Sequence, residues 1–105
     1  MPRVAKPPVL LKATLYVPFD NQPPREVQIP RTGTFDPIYK LLDCDMVEVV
    51  RLDKRRVMLI DEDGKVKGLP VNEMASVLAR GFIQSSDYIA GKAIVGPSSM
   101  LSKGR

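Results

Sequence analysis

Apolar residues in this chain come in short runs with a period of two, each closed by proline, glycine or charge. In "VLLKATLYV", Leu11, Ala13, Leu15 and Val17 share one parity, and Lys12, Thr14 and Tyr16 share the other. "REVQI" repeats the pattern, with Val27 and Ile29 against Glu26 and Gln28. Such alternation builds strands with one buried face. The prolines of "PFDNQPP" block ladder hydrogen bonds, so the first two runs form an antiparallel hairpin with a longer loop. "MVEVVRL" and "RVMLI" flank "DKR", a connection short enough to require antiparallel neighbours. Val57 to Ile60 are apolar on both parities, which predicts an interior strand covered on both faces. "YIAGKAIVG" reads as the last strand.

Two stretches have helical character. In "TFDPIYKLLD", Asp36 is expected to cap, Pro37 suits the first helical position, and Ile38, Leu41 and Leu42 form the buried side. In "VNEMASVLARGF", Asn72 is the expected cap, Glu73 complements the dipole, and Met74, Val77 and Leu78 form the expected inner stripe. The order is β-β-α-β-β-α-β. It predicts one α+β domain over 9–97, a mostly antiparallel sheet with both short helices on one face. Residues 1–8 read as a flexible basic, proline-rich N-terminus and 98–105 as a flexible polar tail.

The stretch "IDEDGKVKGLPVNEMA", 60–75, concentrates acids, glycines, a proline and an asparagine. Counted from Asp61 as a calcium loop, position 5 is Lys65 and position 12 is Asn72, so the ligand pattern fails. With no histidine and one cysteine, a zinc site lacks its donors. The glycines do not form a phosphate loop, and Asp61, Glu62 and Asp63 oppose an anion. A carboxylate acid–base pair needs environments that separate the two pKa values, which acids at a turn do not supply. The expectation is no catalytic residue, metal or cofactor. The stretch reads as punctuation: Asp61 ends a strand, Gly64 supplies positive φ, "KVKG" continues as an extended segment or a short extra strand, Pro70 fixes the approach and Asn72 caps the helix.

Cys44, the single cysteine, cannot form an internal disulfide and fits a reducing, cytoplasmic setting. Asp43 and Asp45 beside it disfavour a thiolate. No apolar run is long enough to span a membrane. The formal net charge is +4, yet the middle of the chain, 13–91, holds ten basic and twelve acidic side chains. The excess positive charge lies at the ends, which suits weak nucleic-acid binding only. One folded exception is "RLDKRR", which clusters Arg51, Lys54, Arg55 and Arg56 at a hairpin tip, with Tyr16 as a candidate base-stacking partner.

"IYKLLDCDMVEVVRL", "MLIDEDGKVKGLPVNEMAS" and "IAGKAIVG" together resemble a small domain-of-unknown-function family of bacteriophages, plasmids and bacteria, over residues 35 to 96. The resemblance implies a mobile-element context and carries no catalytic residue or ligand. The expected function is a non-catalytic binding protein, an accessory factor that engages or inhibits a host protein. The alternative is a nucleic-acid or nucleotide binder using the 51–56 hairpin. A homo-oligomer formed by sheet extension is a third possibility.

Overall fold

The computed structural model describes residues 9–18, 23–31 and 35–101. Five strands, β1 (Leu10–Tyr16), β2 (Arg25–Pro30), β3 (Val47–Arg51), β4 (Arg56–Asp61) and β5 (Ala93–Pro97), form one antiparallel sheet in the order β2-β1-β5-β4-β3. Two sequential hairpins, β1–β2 and β3–β4, are joined by the last strand, which inserts between them. Ala93 to Gly96 are buried accordingly. The helices are α1 (Asp36–Leu42) and α2 (Glu73–Ala79). The α+β class, element order and single domain agree with the sequence reading. Among the described residues, no helix is long and apolar enough to cross a membrane.

The helices do not share a face. Ile38 and Leu42 of α1 pack with Leu15, Val57, Leu59 and Ile94 on one side of the sheet. Ala75 and Ala79 of α2 pack with Met58, Ile60, Ala93 and Val95 on the other. Residues 57 and 59 point opposite to 58 and 60, so an interior strand apolar on both parities needs a cover on each face. Each fully buried Leu or Ile contributes roughly 1.5–3 kcal/mol, which leaves little tolerance for one bare face.

Further details depart from expectation. At the start of α1, Phe35 is the N-cap residue and makes no side-chain cap bond, and Asp36 is already helical. The Phe35 carbonyl accepts the first turn's bond from the Tyr39 N–H, and the two rings meet edge to face. The last strand begins at Ala93, because Ala90 pairs instead with Val71 and the Ile89 carbonyl with the Asn72 N–H. Residues 98–101, expected in the flexible tail, form a 3₁₀ turn (Ser98–Leu101) whose Met100 is buried against Ala13 and Leu15. The Ser98 N–H donates to the Arg55 carbonyl and fixes that turn to the β3–β4 tip. The expected basic segment 1–8 and the rest of the tail, 102–105, lie outside the described residues.

Candidate functional site

Strand β4 ends on Asp61, whose carboxylate is buried and holds the turn that follows. Oδ1 accepts the Asp63 N–H at 2.9 Å, and Oδ2 takes an ion pair from Lys67 Nζ at 2.8 Å. Segment 62–68 is a succession of tight turns, not the expected extended run: the Lys67 N–H donates to Asp63 O, Gly68 N–H to Lys65 O and Leu69 N–H to Gly64 O. The Lys67–Asp61 pair requires this curl, because an extended 61–67 would carry the ammonium roughly 20 Å from the carboxylate.

Gly64 is needed for a different reason from the one expected. Its φ is not positive; a Cβ there would stand 2.7 Å from the Ala90 carbonyl oxygen. The turn is pressed against the 83–91 loop, and only glycine permits that approach. The Pro70 carbonyl accepts the Gly91 N–H at 2.8 Å and ties the same two segments further along.

Asn72 does far more than cap. Its Oδ1 accepts the Ala75 N–H at 3.1 Å, as a helix cap should. Its Nδ2 donates to Tyr16 O at 3.0 Å and to Gly91 O at 2.9 Å. One buried amide therefore joins the start of α2, the end of β1 and the loop before β5. Ser76, one turn on, accepts the Ile89 N–H at its Oγ. Residues 72, 75, 76 and 79 form the inward stripe of α2. The expected stripe is reversed: Met74, Val77 and Leu78 are exposed at 50%, 57% and 36%.

Between the α2-side face of β3–β4 and the 83–90 loop lies a cleft of about 240 Å³. Val50, Ile60, Ile83 and Ile89 make its apolar floor, and Glu48, Glu62, Lys65, Asp87 and Tyr88 its rim. Lys65 is committed: it pairs with Asp87 and lies 4.7 Å over the Tyr88 ring. Glu48 and Glu62 have no ion-pair partner among the described residues. The free rim charge is therefore negative. The cleft adjoins β3, the last strand of the sheet on that side.

Cys44 is half-buried near Asp61. Burial, and then the Asp61 carboxylate, push its thiol above the ordinary range, and Lys67 only partly offsets this. It stays a thiol at neutral pH. Lys67 itself is raised, chiefly by its hydrogen bond to Asp61.

The basic tip is a separate surface. Asp53 Oδ1 accepts the N–H groups of Arg55 and Arg56 at 2.7 and 2.8 Å, and Oδ2 pairs with Arg56 Nε at 3.0 Å. These bonds, the Arg55 N–H foremost, hold the Asp53 carboxyl below its usual range. Arg51, Lys54 and Arg55 remain outward, with no acidic partner among the described residues. Tyr16 is not with them. It pairs with Ala93, which pairs with Ile60, whereas Arg56 pairs with Pro97. Four residues of β4 separate the rows, about 13 Å. Tyr16 instead packs, half-buried, against the α2-side core.

A family model described as a domain of unknown function, DUF3846, matches residues 12–98. The chain belongs to the DUF3846 family. The DUF3846 match includes the first hairpin, which the sequence resemblance did not cover, together with the cleft, the Asn72 junction and the basic tip. No curated protein and no solved structure matches the chain.

Sequence reasoning missed the cleft because its rim comes from three separate segments. The reversal of α2 had a signal: Asn72, Ala75, Ser76 and Ala79 also stand at helical spacing, and an amide that can serve three backbone groups marks an interior position.

Proposed function

We propose that this DUF3846 domain is a non-catalytic protein-binding module, a cytoplasmic accessory factor of a phage or mobile element that engages a host protein through the cleft beside β3. The observation that carries the reading is an apolar slot with two unpaired carboxylates beside an unpaired sheet edge. An extended partner segment adds to β3 through main-chain hydrogen bonds. An apolar side chain enters over Val50 and Ile60, and an adjacent Lys or Arg meets Glu48 and Glu62. The mobile-element setting rests on the resemblance of the "DEDGK…LPVN" pattern.

Affinity capture from bacterial lysate tests this, with bound protein and nucleic acid both identified. The expected result is one dominant host protein, lost in Glu48→Lys/Glu62→Lys with an unchanged unfolding curve. Equal recovery by that variant refutes the cleft as the binding surface. A second reading is nucleic-acid binding at the tip, favoured by the outward, unpaired Arg51, Lys54 and Arg55. Nuclease-sensitive recovery, lost in Lys54→Ala/Arg55→Ala, supports it over the first.

A further inference from the structure

The outer face of α2 is a second surface, and its residue types mirror one another. Met74, Val77 and Leu78 lie at i, i+3 and i+4 and project away from the sheet, since Ala75 and Ala79 fill the inward side. Val71 and Phe82 flank them, exposed at 48% and 55%. About the midpoint between Ser76 and Val77, Glu73 reflects onto Arg80. Glu73 and Arg80 are seven residues apart, two turns of helix, so they occupy the same flank of the apolar stripe.

We propose that this face pairs two copies of the chain, α2 antiparallel to α2, about a two-fold axis between Ser76 and Val77. A two-fold axis perpendicular to the helices keeps each flank on its own side and reverses direction along the helix. Glu73 of one copy then meets Arg80 of the other, twice, at the rim. Val77 lies beside its own mate next to the axis. A two-fold axis along the helices would instead carry the second copy's Glu73 and Arg80 to the opposite flank, so only the antiparallel arrangement brings these opposite charges into pairs. The five exposed apolar side chains present roughly 450 Å² per copy, within the roughly 300–600 Å² of the largest patch on a typical monomer. Two copies bury about twice that before the charged rim is counted, close to the roughly 1,000 Å² a specific interface needs. A reversible dimer follows. The pairing does not depend on the cleft reading, because neither Glu48 nor Glu62 belongs to this face.

Sedimentation velocity over a concentration series of the full chain tests it. The wild type is expected to move from its 11.7 kDa monomer to twice that mass. Val77→Glu sets two carboxylates together beside the axis and is expected to remain monomeric, with the melting curve of the dilute, monomeric wild type because Val77 is exposed. Glu73→Lys and Arg80→Glu are each expected to lose dimer, since each sets like charges together. An equimolar mixture of the two is expected to recover it, because both cross-pairs are then opposite in sign. A wild type that stays monomeric up to about 1 mM overturns the proposal. So does a dimer indifferent to Val77→Glu, or a mixture that fails to recover. Dimerisation that persists in Glu48→Lys/Glu62→Lys, where host capture is lost, separates this surface from the cleft.

Discussion

Replacing Asn72 by Asp distinguishes a simple helix cap from a three-way junction. As N-cap residues the two are equivalent, and a plain cap would accept the exchange at almost no cost. Here the amide nitrogen donates to Tyr16 O and Gly91 O inside the protein. An ionised carboxylate would turn an oxygen toward two carbonyl oxygens with no proton between them. Asn72→Ala removes the cap, about 1 kcal/mol, and leaves the carbonyls without that donor, about 1–3 kcal/mol each. A loss of roughly 3–7 kcal/mol is expected, against a total stability of about 5–15 kcal/mol for a domain of this size.

Asn72→Asp is expected to be at least as damaging at pH 7, because the buried charge adds its own desolvation cost. Below the carboxyl's folded pKa, protonation restores one donor, so the gap between the Asp and Ala variants should shift in favour of Asp on acidification. Urea unfolding of the three proteins at pH 7 and pH 4.5 reads both effects. In thermal unfolding the Ala variant should melt more than about 12 °C below wild type. An Asp variant as stable as wild type at pH 7 would refute the junction and return Asn72 to an ordinary cap.

Gly64→Ala is expected to destabilise by about 1–3 kcal/mol because its Cβ meets backbone at Ala90, whereas Gly68→Ala, at φ +70° in open space, should cost about 1 kcal/mol. Thermal unfolding of the pair checks the order, and the reverse order contradicts the close-approach argument. Lys67 has a raised folded pKa, so its contribution is complete below the unfolded value near 10.4 and is lost as pH rises through the folded one; Lys67→Met should flatten the alkaline limb of stability against pH. Asp53 is depressed, so its contribution is complete above about pH 3.9 and is lost as pH falls through the folded pKa; Asp53→Asn should flatten the acid limb. Cys44 should react with iodoacetamide more slowly than a free thiol at pH 7.5 and accelerate only above its raised pKa, as mass spectrometry of timed quenches would show. If the basic tip binds DNA, Arg55→Ala should lower the salt slope by about one, and Arg56→Ala by less, since Arg56 is tied to Asp53; equal effects in gel shifts would contradict that division.

Strand pairing within the hairpins was legible where pattern and connection agree, whereas the insertion of β5 between them was not. The alternation in 11–17 and 27–29 and the short "DKR" link define two hairpins, and those hairpins exist. The two-faced arrangement was also present in the sequence: Val57 and Leu59 on one parity and Met58 and Ile60 on the other cannot both be covered by helices on one side. The curl of 62–68 was not legible. It depends on Asp61 and Lys67 finding each other across six residues, and composition alone reads that span as turn followed by extension. The cleft was less legible still, because Glu48, Glu62 and Asp87 converge only after β3, the turn and the 83–90 loop have packed.

Helix α2 carries two stripes one residue out of phase, and the reason one wins explains the rest of the molecule. Val71, Met74, Val77 and Leu78 offer more apolar area, so transfer energy alone favours turning them inward. The competing stripe offers Asn72 and Ser76, which satisfy the carbonyls of Tyr16 and Gly91 and the N–H of Ile89. Rotating the helix to bury the larger side chains would strand those groups and force bulk into the space above Met58 and Ile60 that Ala75 and Ala79 now fill at full burial. Hydrogen bonding sets the rotation, and the small residues let the helix lie close to the sheet. The larger stripe is then left outward as a consequence. A double variant, Asn72→Leu/Ser76→Leu, removes the polar constraint and should lose the fixed phase: stability falls, and Val77 gains protection that a cysteine placed there would report by slower labelling. Unchanged labelling at position 77 in that background would show that packing of Ala75 and Ala79, not the amide junction, sets how α2 is turned.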